Sequence, residues 1–412
     1  MNVRQLIPDP VEIEPFDLPA LQDGGYMLKP FDERTLGFLN DLSRRILTDG
    51  RLKTLPEMAA LGFWLRRSHL KELQRAQSHL LSGERHLLSP VGKVLHICPA
   101  NVDTMFLYSL VVSLLMGNRN VLRVSDRMQS DDMRLLFGKL SETMGQPENG
   151  LFRGYVNIVT YGHEKEINDD LSSRVNARVI WGGDATIQTF RSSATQPRCR
   201  DIVFADRVSA MCIGSEALLA LNPEGMSGFL KDFYNDSYTF DQMGCSSPQT
   251  VFFLGEDGSN RMALERIESG LGELVKSRYT GDLFSLSSLK LNRMVDDALE
   301  GVLLRQSGNG FLRFVELSDG TNPSELHGCG GGYFYWRSIG DVDELVCLGS
   351  SKVQTLSCFG LSSVQLKSVS ELAYGEGIDR IVRLGHALNF DYIWDGYNLF
   401  EQLGRRVYVQ SS

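Results

Sequence analysis

The chain has 412 residues, 42% of them apolar and 23% charged, with a net charge of −9. That length exceeds what one compact core usually fills, so two or three domains of an ordinary soluble globular protein are expected. The acidic balance argues against a dedicated nucleic-acid binder, and no apolar run approaches the ~18 residues of a membrane span. The opening "MNVRQLIPDPVEIEPFD" is acidic and lacks the apolar segment of a signal peptide. The seven cysteines (98, 199, 212, 245, 329, 347 and 358) are odd in number and show no close CxxC pairing. A disulfide framework or metal site is therefore not expected, and a reducing cytoplasm fits best.

Residues 1–30, rich in Pro, Asp and Gly, read as an extended arm or edge strand. Apolar residues at helical spacing predict helices over 32–47 and 55–80, a pair that could form a docking face but reads better as a lid over the domain's own core. From Val91 short apolar strands alternate with helices. The strands are "VGKVLHIC", "NVLRV", "GYVNIVTY", "ARVIWGG" and "DIVFA"; the helices are "TMFLYSLVVSLLM", "SDDMRLLFGKLSETM", "HEKEINDDLSSRV" and "DATIQTFRSSA". Such βαβ alternation calls for a parallel sheet covered on both faces, which should end near residue 215. A second α/β segment begins with a helix around 224–235 and continues through Cys245, "PQTVFFL" and "NRMALERIESGLGELVKSR". The glycine run "HGCGGGYFYW" (327–336) reads as a loop or strand bend, and glycines alone place no phosphate there.

Open α/β sheets bind ligands at the carboxyl ends of their strands. In "HICPANVDTMF", Asn101 could donate a hydrogen bond to a developing oxyanion, or merely satisfy its own turn. In "GNRNVLRVSDR", Arg123, Ser125 and Arg127 could meet an adenosine ribose or its phosphate, or form a solvated charged edge. In "VIWGGDATI", Gly182 and Gly183 precede a helix N-terminus that favours an anion such as a pyrophosphate, whereas the charge of Asp184 would oppose one. Cys98, Cys212, Cys347 and Cys358 lie in apolar runs and read as inert core thiols. Cys199, between two arginines, could have a lowered pKa or be an exposed surface thiol. Cys245 differs. It lies in the polar stretch "DQMGCSSPQTVFF", just before a strand, where backbone amides could face an acyl oxygen.

Taken in order, these pieces resemble the aldehyde dehydrogenase superfamily. The segment "SPVGKVLHICPANVDTMFLYSLVVSLLMGNRNVLRVSD" is similar to its nucleotide-domain core, "VNARVIWGGDATI" to its pyrophosphate turn and "DQMGCSSPQTVFF" to its nucleophile segment. The tail "GIDRIVRLGHALNFDYIWDGYNLFEQLGRRVYV" resembles more narrowly the long-chain fatty acyl reductases of bacterial bioluminescence, the LuxC type. The resemblance spans about residues 85–410, and the combination is more specific than any single motif. It implies an aldehyde-dehydrogenase-like α/β fold with a Rossmann-like cofactor domain and a smaller α/β thioester domain. The expected divisions are an N-terminal arm and helical region (1–84), a nucleotide-binding domain (85–222), a catalytic domain (223–375) and a C-terminal segment (376–412). That last segment would complete the cofactor domain or an oligomer interface.

The resemblance further implies that Cys245 is acylated and that Asn101, with the Cys245 backbone N–H, forms the oxyanion hole. Arg123 and its neighbours would hold the adenosine ribose, while Gly182, Gly183 and Thr186 would hold the pyrophosphate. Phe204 stands where hydrolytic members carry a glutamate, so a thioester should outlast water until hydride arrives. The segment that grips the nicotinamide ribose in many members is not evident in "LGSSKVQTLS". The implied reaction reduces a long-chain acyl thioester, donated by acyl-CoA or an acyl-protein synthetase, to the aldehyde. No external base is required if Cys245 is largely thiolate. Arg127 and Arg123 suit the 2′-phosphate of NADPH and Asp126 the free hydroxyls of NADH; the resemblance favours NADPH. A homo-oligomer is expected. The alternatives are an oxidising or hydrolytic aldehyde dehydrogenase and a non-catalytic acyl-carrying partner of an acyl-activating ligase.

Overall fold

The computed structural model describes the chain apart from residues 1, 25–26, 84–85, 99–104, 126–129, 163, 376 and 411–412, and apart from the side chains at 82, 83, 105, 106 and 283. It divides into two compact units, residues 1–205 with 397–412, and residues 206–396.

In the first unit, β1 (Val3–Ile7) and β2 (Val11–Ile13) form an antiparallel ribbon at the edge of the sheet, in the stretch expected as an extended arm or edge strand. Helix α1 (Glu33–Thr48) is capped by Asp32, whose carboxylate accepts the Arg34 N–H at 3.0 Å, and it buries Leu36, Leu39, Leu42 and Ile46. The helix expected over 55–80 is three: α2 (Pro56–Trp64), α3 (Arg67–Ala76) and α4 (Ser78–Leu81). The first break comes where Arg66 turns extended and lays its guanidinium 4.2 Å above the Phe63 ring. Strands β3 (Ser82–Gly83), β4 (His86–Pro90) and β5 (Lys93–Ile97) follow, then α5 (Met105–Leu115), β6 (Arg119–Arg123) and α6 (Asp131–Met144). The alternation ends with β7 (Val156–Thr160), α7 (Lys165–Ser173), β8 (Ala177–Trp181), α8 (Asp184–Arg191) and β9 (Arg200–Phe204).

The sheet order is β2-β1-β7-β6-β5-β8-β9, parallel from β7 to β9. Every residue of β7 and β8 is buried, which is why "VNIVT" and "ARVIW" do not alternate apolar with charged positions as a half-exposed strand would. Arg178 is tolerated in β8 because Asp201 on the neighbouring strand accepts from it at 2.7 and 2.8 Å. Leu95, Ile97, Val121, Val159 and Ile180 pack with Ile187 and Phe190 as the core. Strand order reverses at β5, so the ligand crevice of this sheet is expected beyond the carboxyl ends of β5, β6 and β8.

The second unit begins with β10 (Val208–Gly214), α9 (Ser215–Leu219), α10 (Pro223–Tyr238), β11 (Pro248–Leu254), α11 (Asp257–Arg278) and α12 (Leu283–Leu299). It continues with β12 (Leu303–Gly308), β13 (Arg313–Leu317), β14 (Tyr333–Ile339), β15 (Val353–Phe359), α13 (Ser363–Leu372), β16 (Arg380–Arg383) and β17 (Ile393–Trp394). Its sheet order is β12-β13-β14-β11-β10-β15-β16, parallel except for β12. Alternate residues divide between two cores. Met211, Ile213, Val251 and Phe253 meet Phe229, Phe233 and Ile267, whereas Ala210, Cys212 and Phe252 meet Leu345 and Val369.

The first sheet was expected to run to about residue 215 and its domain to 222. The unit boundary falls instead at 205/206, because β10 uses both its edges to pair with β11 and β15. The C-terminal segment also divides. Residues up to 396 belong to the second unit, while β18 (Tyr397–Asn398), α14 (Leu399–Gln402) and β19 (Gly404–Tyr408) belong to the first. There β19 pairs antiparallel with β4, and Arg200 donates to the Gln402 and Gly404 carbonyls at 3.1 and 2.6 Å. Among the described residues no helix is long and apolar enough to cross a membrane.

Candidate active site

At the carboxyl edge of the first sheet, Asn101 and Arg127 fall outside the described residues, as does Asp126. Arg123 ends β6; its Nη2 reaches the Tyr161 and Gly162 carbonyls at 3.4 and 3.3 Å, and its buried Nε has no hydrogen-bond partner among the described residues. Ser125 follows two residues later and is half-buried. Gly182 and Gly183 form the turn from β8 into α8, and Thr186 is exposed in the first turns of that helix. At Gly182 the space is tight: a Cβ there would stand 3.1 Å from Thr186 Cγ2, an exposed side chain that would have to shift by a few tenths of an ångström. Gly183 is the N-cap and makes no side-chain cap hydrogen bond, and a helix N-terminus favours an anion.

Cys245 lies at the opposite kind of edge, where the amino ends of β10, β11 and β15 meet. Its loop is pinned by Gln242, which is 1% exposed. The Gln242 carboxamide donates to the Pro248 and Tyr333 carbonyls at 2.8 and 3.1 Å and accepts from the Gly332 and Tyr333 N–H groups at 2.9 and 3.1 Å. Phe240, Asp241 and Gln242 all have left-handed backbone (φ 56, 54 and 61), a costly run for residues with a Cβ. The glycine run expected as a bend accommodates it. Gly330, Gly331 and Gly332 all have positive φ, and Gly331 donates to the Asp241 carbonyl at 2.7 Å. A Cβ on Gly330 would sit 2.6 Å from that same carbonyl, and one on Gly332 2.2 Å from the Tyr238 hydroxyl. These glycines shape the cysteine loop.

Around the sulphur the contacts are specific. Ser209 on β10 donates to the Cys245 carbonyl at 2.7 Å. Gln354 on β15 donates from Nε2 to Cys245 Sγ at 3.4 Å and to Asp395 Oδ1, while its Oε1 accepts from Ser246 Oγ. Arg380 on β16 reaches Ser246 Oγ at 3.4 Å and Thr355 Oγ1 at 3.3 Å, donates to the Ala387 and Asn389 carbonyls at 3.0 Å each, and lies 4.1 Å over the Trp394 ring. Arg207 links Asp395, at 3.8 Å, to Asp379, at 2.5 Å. Among the described residues nothing accepts from the Cys245 backbone N–H, which leaves it open to an acyl oxygen.

Burial, and then the charge of Asp395, raise the Cys245 thiol above its ordinary value; Gln354, Ser246 and Arg380 pull it back in part. The largely ionised Cys245 considered from the sequence is thus replaced by a resting thiol. Burial likewise pushes Asp395 up to about 6, against Arg207 and Gln354.

The other cysteines are also raised by burial, Cys329 to about 11 and Cys358 to about 12. Cys199 is half-buried with its pKa raised, neither an exposed surface thiol nor one activated by its arginines. What separates Cys245 is the donor. Cys199, Cys329 and Cys358 give their S–H to backbone carbonyls, whereas Cys245 accepts from a side chain. Phe204 is buried at the end of β9, stacked 3.8 Å from Trp181. Gln354, Arg380 and Asp395 were not found from the sequence. The Asp-Gly pair at 395–396, both left-handed here, is a turn signal in that stretch.

Behind Arg380, Asp236 on α10 accepts from the Gly385 and Ala387 N–H groups at 2.8 and 2.9 Å. Burial pushes its carboxyl up to about 7, with Asp232 adding to the rise and Arg380 opposing it. The folded state then keeps a proton that the unfolded chain has released. The stability this contributes is complete below about pH 4 and is lost as pH rises toward 7. Asp236→Asn should flatten the fall of Tm between these pH values, whatever its effect at one pH. Thermal denaturation in a buffer series measures this; an unchanged slope would show that Asp236 is ionised throughout.

Comparison with known proteins agrees with the architecture. The aldehyde dehydrogenase of Brucella melitensis biovar abortus superposes with a TM-score of 0.66 at 13% identity, covering 99% of this chain and 93% of that one. Aldehyde dehydrogenase 21 of Physcomitrella patens, solved with its product succinate, gives 0.63 at 12% identity over 92% and 84% of the two chains. The 1-pyrroline-5-carboxylate dehydrogenase of Thermus with bound NAD gives 0.64 at 12% identity over 92% and 81%. These likenesses establish an aldehyde-dehydrogenase-like fold. No individual curated protein matches by sequence. The acyl-CoA reductase (LuxC) family matches residues 66–274, just over half of the chain and including the Cys245 loop, and the protein belongs to that family.

Proposed function

We propose that the protein reduces a long-chain acyl thioester to its aldehyde through an acyl group carried on Cys245. The observation that supports this most is Cys245 itself: a thiol in a pinned loop, with a side-chain donor on its sulphur, in a chain of the acyl-CoA reductase family. Attack of the Cys245 sulphur on the donor thioester forms the new C–S bond and breaks the old one, and the Cys245 proton ends on the departing thiol. The exchange therefore needs no net base. The Cys245 N–H, with Asn101 as the second donor implied by the family resemblance, would hold the oxyanion.

A nicotinamide cofactor would supply hydride to the acyl carbon. The donor set fits an anionic, pyrophosphate-bearing group: the glycine turn at the N-terminus of α8, and Arg123, whose buried Nε has no hydrogen-bond partner among the described residues. Asp184 in that first turn works against a phosphate placed close to it. We assign Arg123, Ser125 and Arg127 to the adenosine end and favour NADPH over NADH. Phe204, in the place where the resemblance puts a hydrolytic glutamate, would leave the thioester to wait for hydride. Acyl-CoA or an acyl-protein synthetase would be the donor.

The test is intact-protein mass spectrometry after incubation with acyl-CoA donors of graded chain length. One acyl group should load, persist without cofactor, and leave as aldehyde on adding NADPH faster than on adding NADH. Rapid hydrolysis without cofactor would point to the hydrolytic aldehyde dehydrogenase reading. An adduct that no reduced nicotinamide removes would point to the acyl-carrying partner.

A further inference from the structure

We infer that Gln354 is a catalytic hydrogen-bond donor to the Cys245 sulphur, held in that orientation by Asp395 as its positioning residue. The inference rests on the reading of Cys245 as the nucleophile and assigns it a partner.

The two ends of a carboxamide differ, and the surroundings of Gln354 decide which way it points. Asp395 is an acceptor and faces the nitrogen; the Ser246 hydroxyl faces the oxygen. Turning the amide over would set its oxygen against the carboxylate. With one N–H on Asp395, the other is directed at Cys245 Sγ, 3.4 Å away. Gln354 is fully buried on β15, so the donor is held by the sheet. Asp395 is fixed in turn, with left-handed backbone and Arg207 beside it, itself tied to Asp379 and the Val353 carbonyl. The charged groups around the sulphur are Asp395 in the segment that follows β16 and Arg380 on β16, with Arg207 and Asp379 behind Asp395.

This arrangement matters when aldehyde departs. The C–S bond breaks, its electron pair stays on Sγ, and the alkoxide oxygen closes to C=O. Negative charge then appears on a half-buried sulphur, where Asp395 disfavours it. A preset N–H that strengthens toward that charge lowers the barrier, and a hydrogen bond to a charged group carries about a 10- to 100-fold effect on rate.

The experiment is the pH profile of Cys245 alkylation by iodoacetamide in the full chain, read by peptide mass, with acyl-CoA reduction measured alongside. Gln354→Met keeps size but not the donor; the alkylation midpoint should rise by about one to two pH units and kcat should fall about 10- to 100-fold. Asp395→Asn keeps an acceptor for Gln354 but removes the charge, so the midpoint should fall. General loosening of the site would move both variants the same way, and that result, or an unmoved midpoint in Gln354→Met, overturns the inference. If Gln354→Met does not fold, Asp395→Asn decides alone: a midpoint that fails to drop overturns it. Opposite shifts in a protein that loads no acyl donor would support the donor geometry and overturn the acyl-reductase reading.

Discussion

Cys245→Ala should lose all covalent acylation and all aldehyde formation while folding normally. Alanine removes one atom from a loop whose anchor is elsewhere, in the four hydrogen bonds of Gln242, and it leaves Gln354 still paired with Asp395 and Ser246. The stability cost should therefore be small, about 1 kcal/mol or less. The chemical cost should be complete, because no other group in the described surroundings of Cys245 is a nucleophile of comparable softness. Alanine at Cys98, Cys212 or Cys358 provides the contrast. These thiols are buried in the cores, so their loss should lower Tm and leave the adduct in place. Intact mass with and without hydroxylamine, together with aldehyde measured after adding NADPH, separates the two outcomes. A Cys245→Ala protein that still carries a hydroxylamine-sensitive acyl group and releases aldehyde would end the mechanism.

The buried strands were readable because parallel strands covered on both faces are written as short, mostly apolar runs, as in β5 to β8. The assignment of β10 to a sheet was not readable, because "VSAMCIG" is equally apolar whichever sheet it joins. Its partners β11 and β15 begin about 40 and 145 residues later, and one sequence carries no record of that pairing. The break in the helix expected over 55–80 was missed for a different reason. Arg66 is a good helix former, and the turn is marked by contacts that the sequence does not show: its guanidinium over Phe63 and the Arg67 N–H donated to Asn40 Oδ1 at 3.2 Å.

The site divides in the same way. Cys245 stands apart from the other cysteines in its polar segment, and the glycine run shows no role in the sequence alone. Its purpose depends on backbone dihedrals and on approach to Asp241 and Tyr238, neither of which composition reveals. Gln354, Arg380 and Asp395 come from distant stretches with no shared motif. They meet only because β10, β15 and β16 stand side by side with Cys245 at their amino ends. The carboxyl ends of the strands, where open α/β sheets usually bind ligands, include the glycine turn before α8 but not the surroundings of the sulphur.

Gln242→Leu should be the most damaging single change near the site that leaves the nucleophile untouched. Leucine fills a similar volume but makes none of the four hydrogen bonds, so two backbone carbonyls and two backbone N–H groups lose this partner in a buried position. Tyr333 N–H keeps a second acceptor in the Gly330 carbonyl at 3.2 Å, which tempers the loss. At about 1–3 kcal/mol for each group left unpaired, the total should reach roughly 3–6 kcal/mol. For a unit of this size that is a fall in Tm of about 10–20 °C. The left-handed run Phe240-Asp241-Gln242 sharpens the effect, since such backbone persists only where its surroundings hold it. Released, the loop should relax and carry Cys245 off its position beside Gln354, so acylation should fail at temperatures where the fold survives. Gln242→Glu distinguishes this from simple overpacking. A carboxylate can still accept from Gly332 and Tyr333, but it faces the Pro248 and Tyr333 carbonyls without a proton to give. This variant should therefore recover Tm as pH falls and the acid form returns one donor, whereas Gln242→Leu should not. Thermal denaturation of both variants across pH, with acyl loading at 20 °C below each Tm (roughly, given the shift expected), reads the two effects separately. A Gln242→Leu protein with near wild-type Tm and full loading would show that the glycine run alone holds the loop.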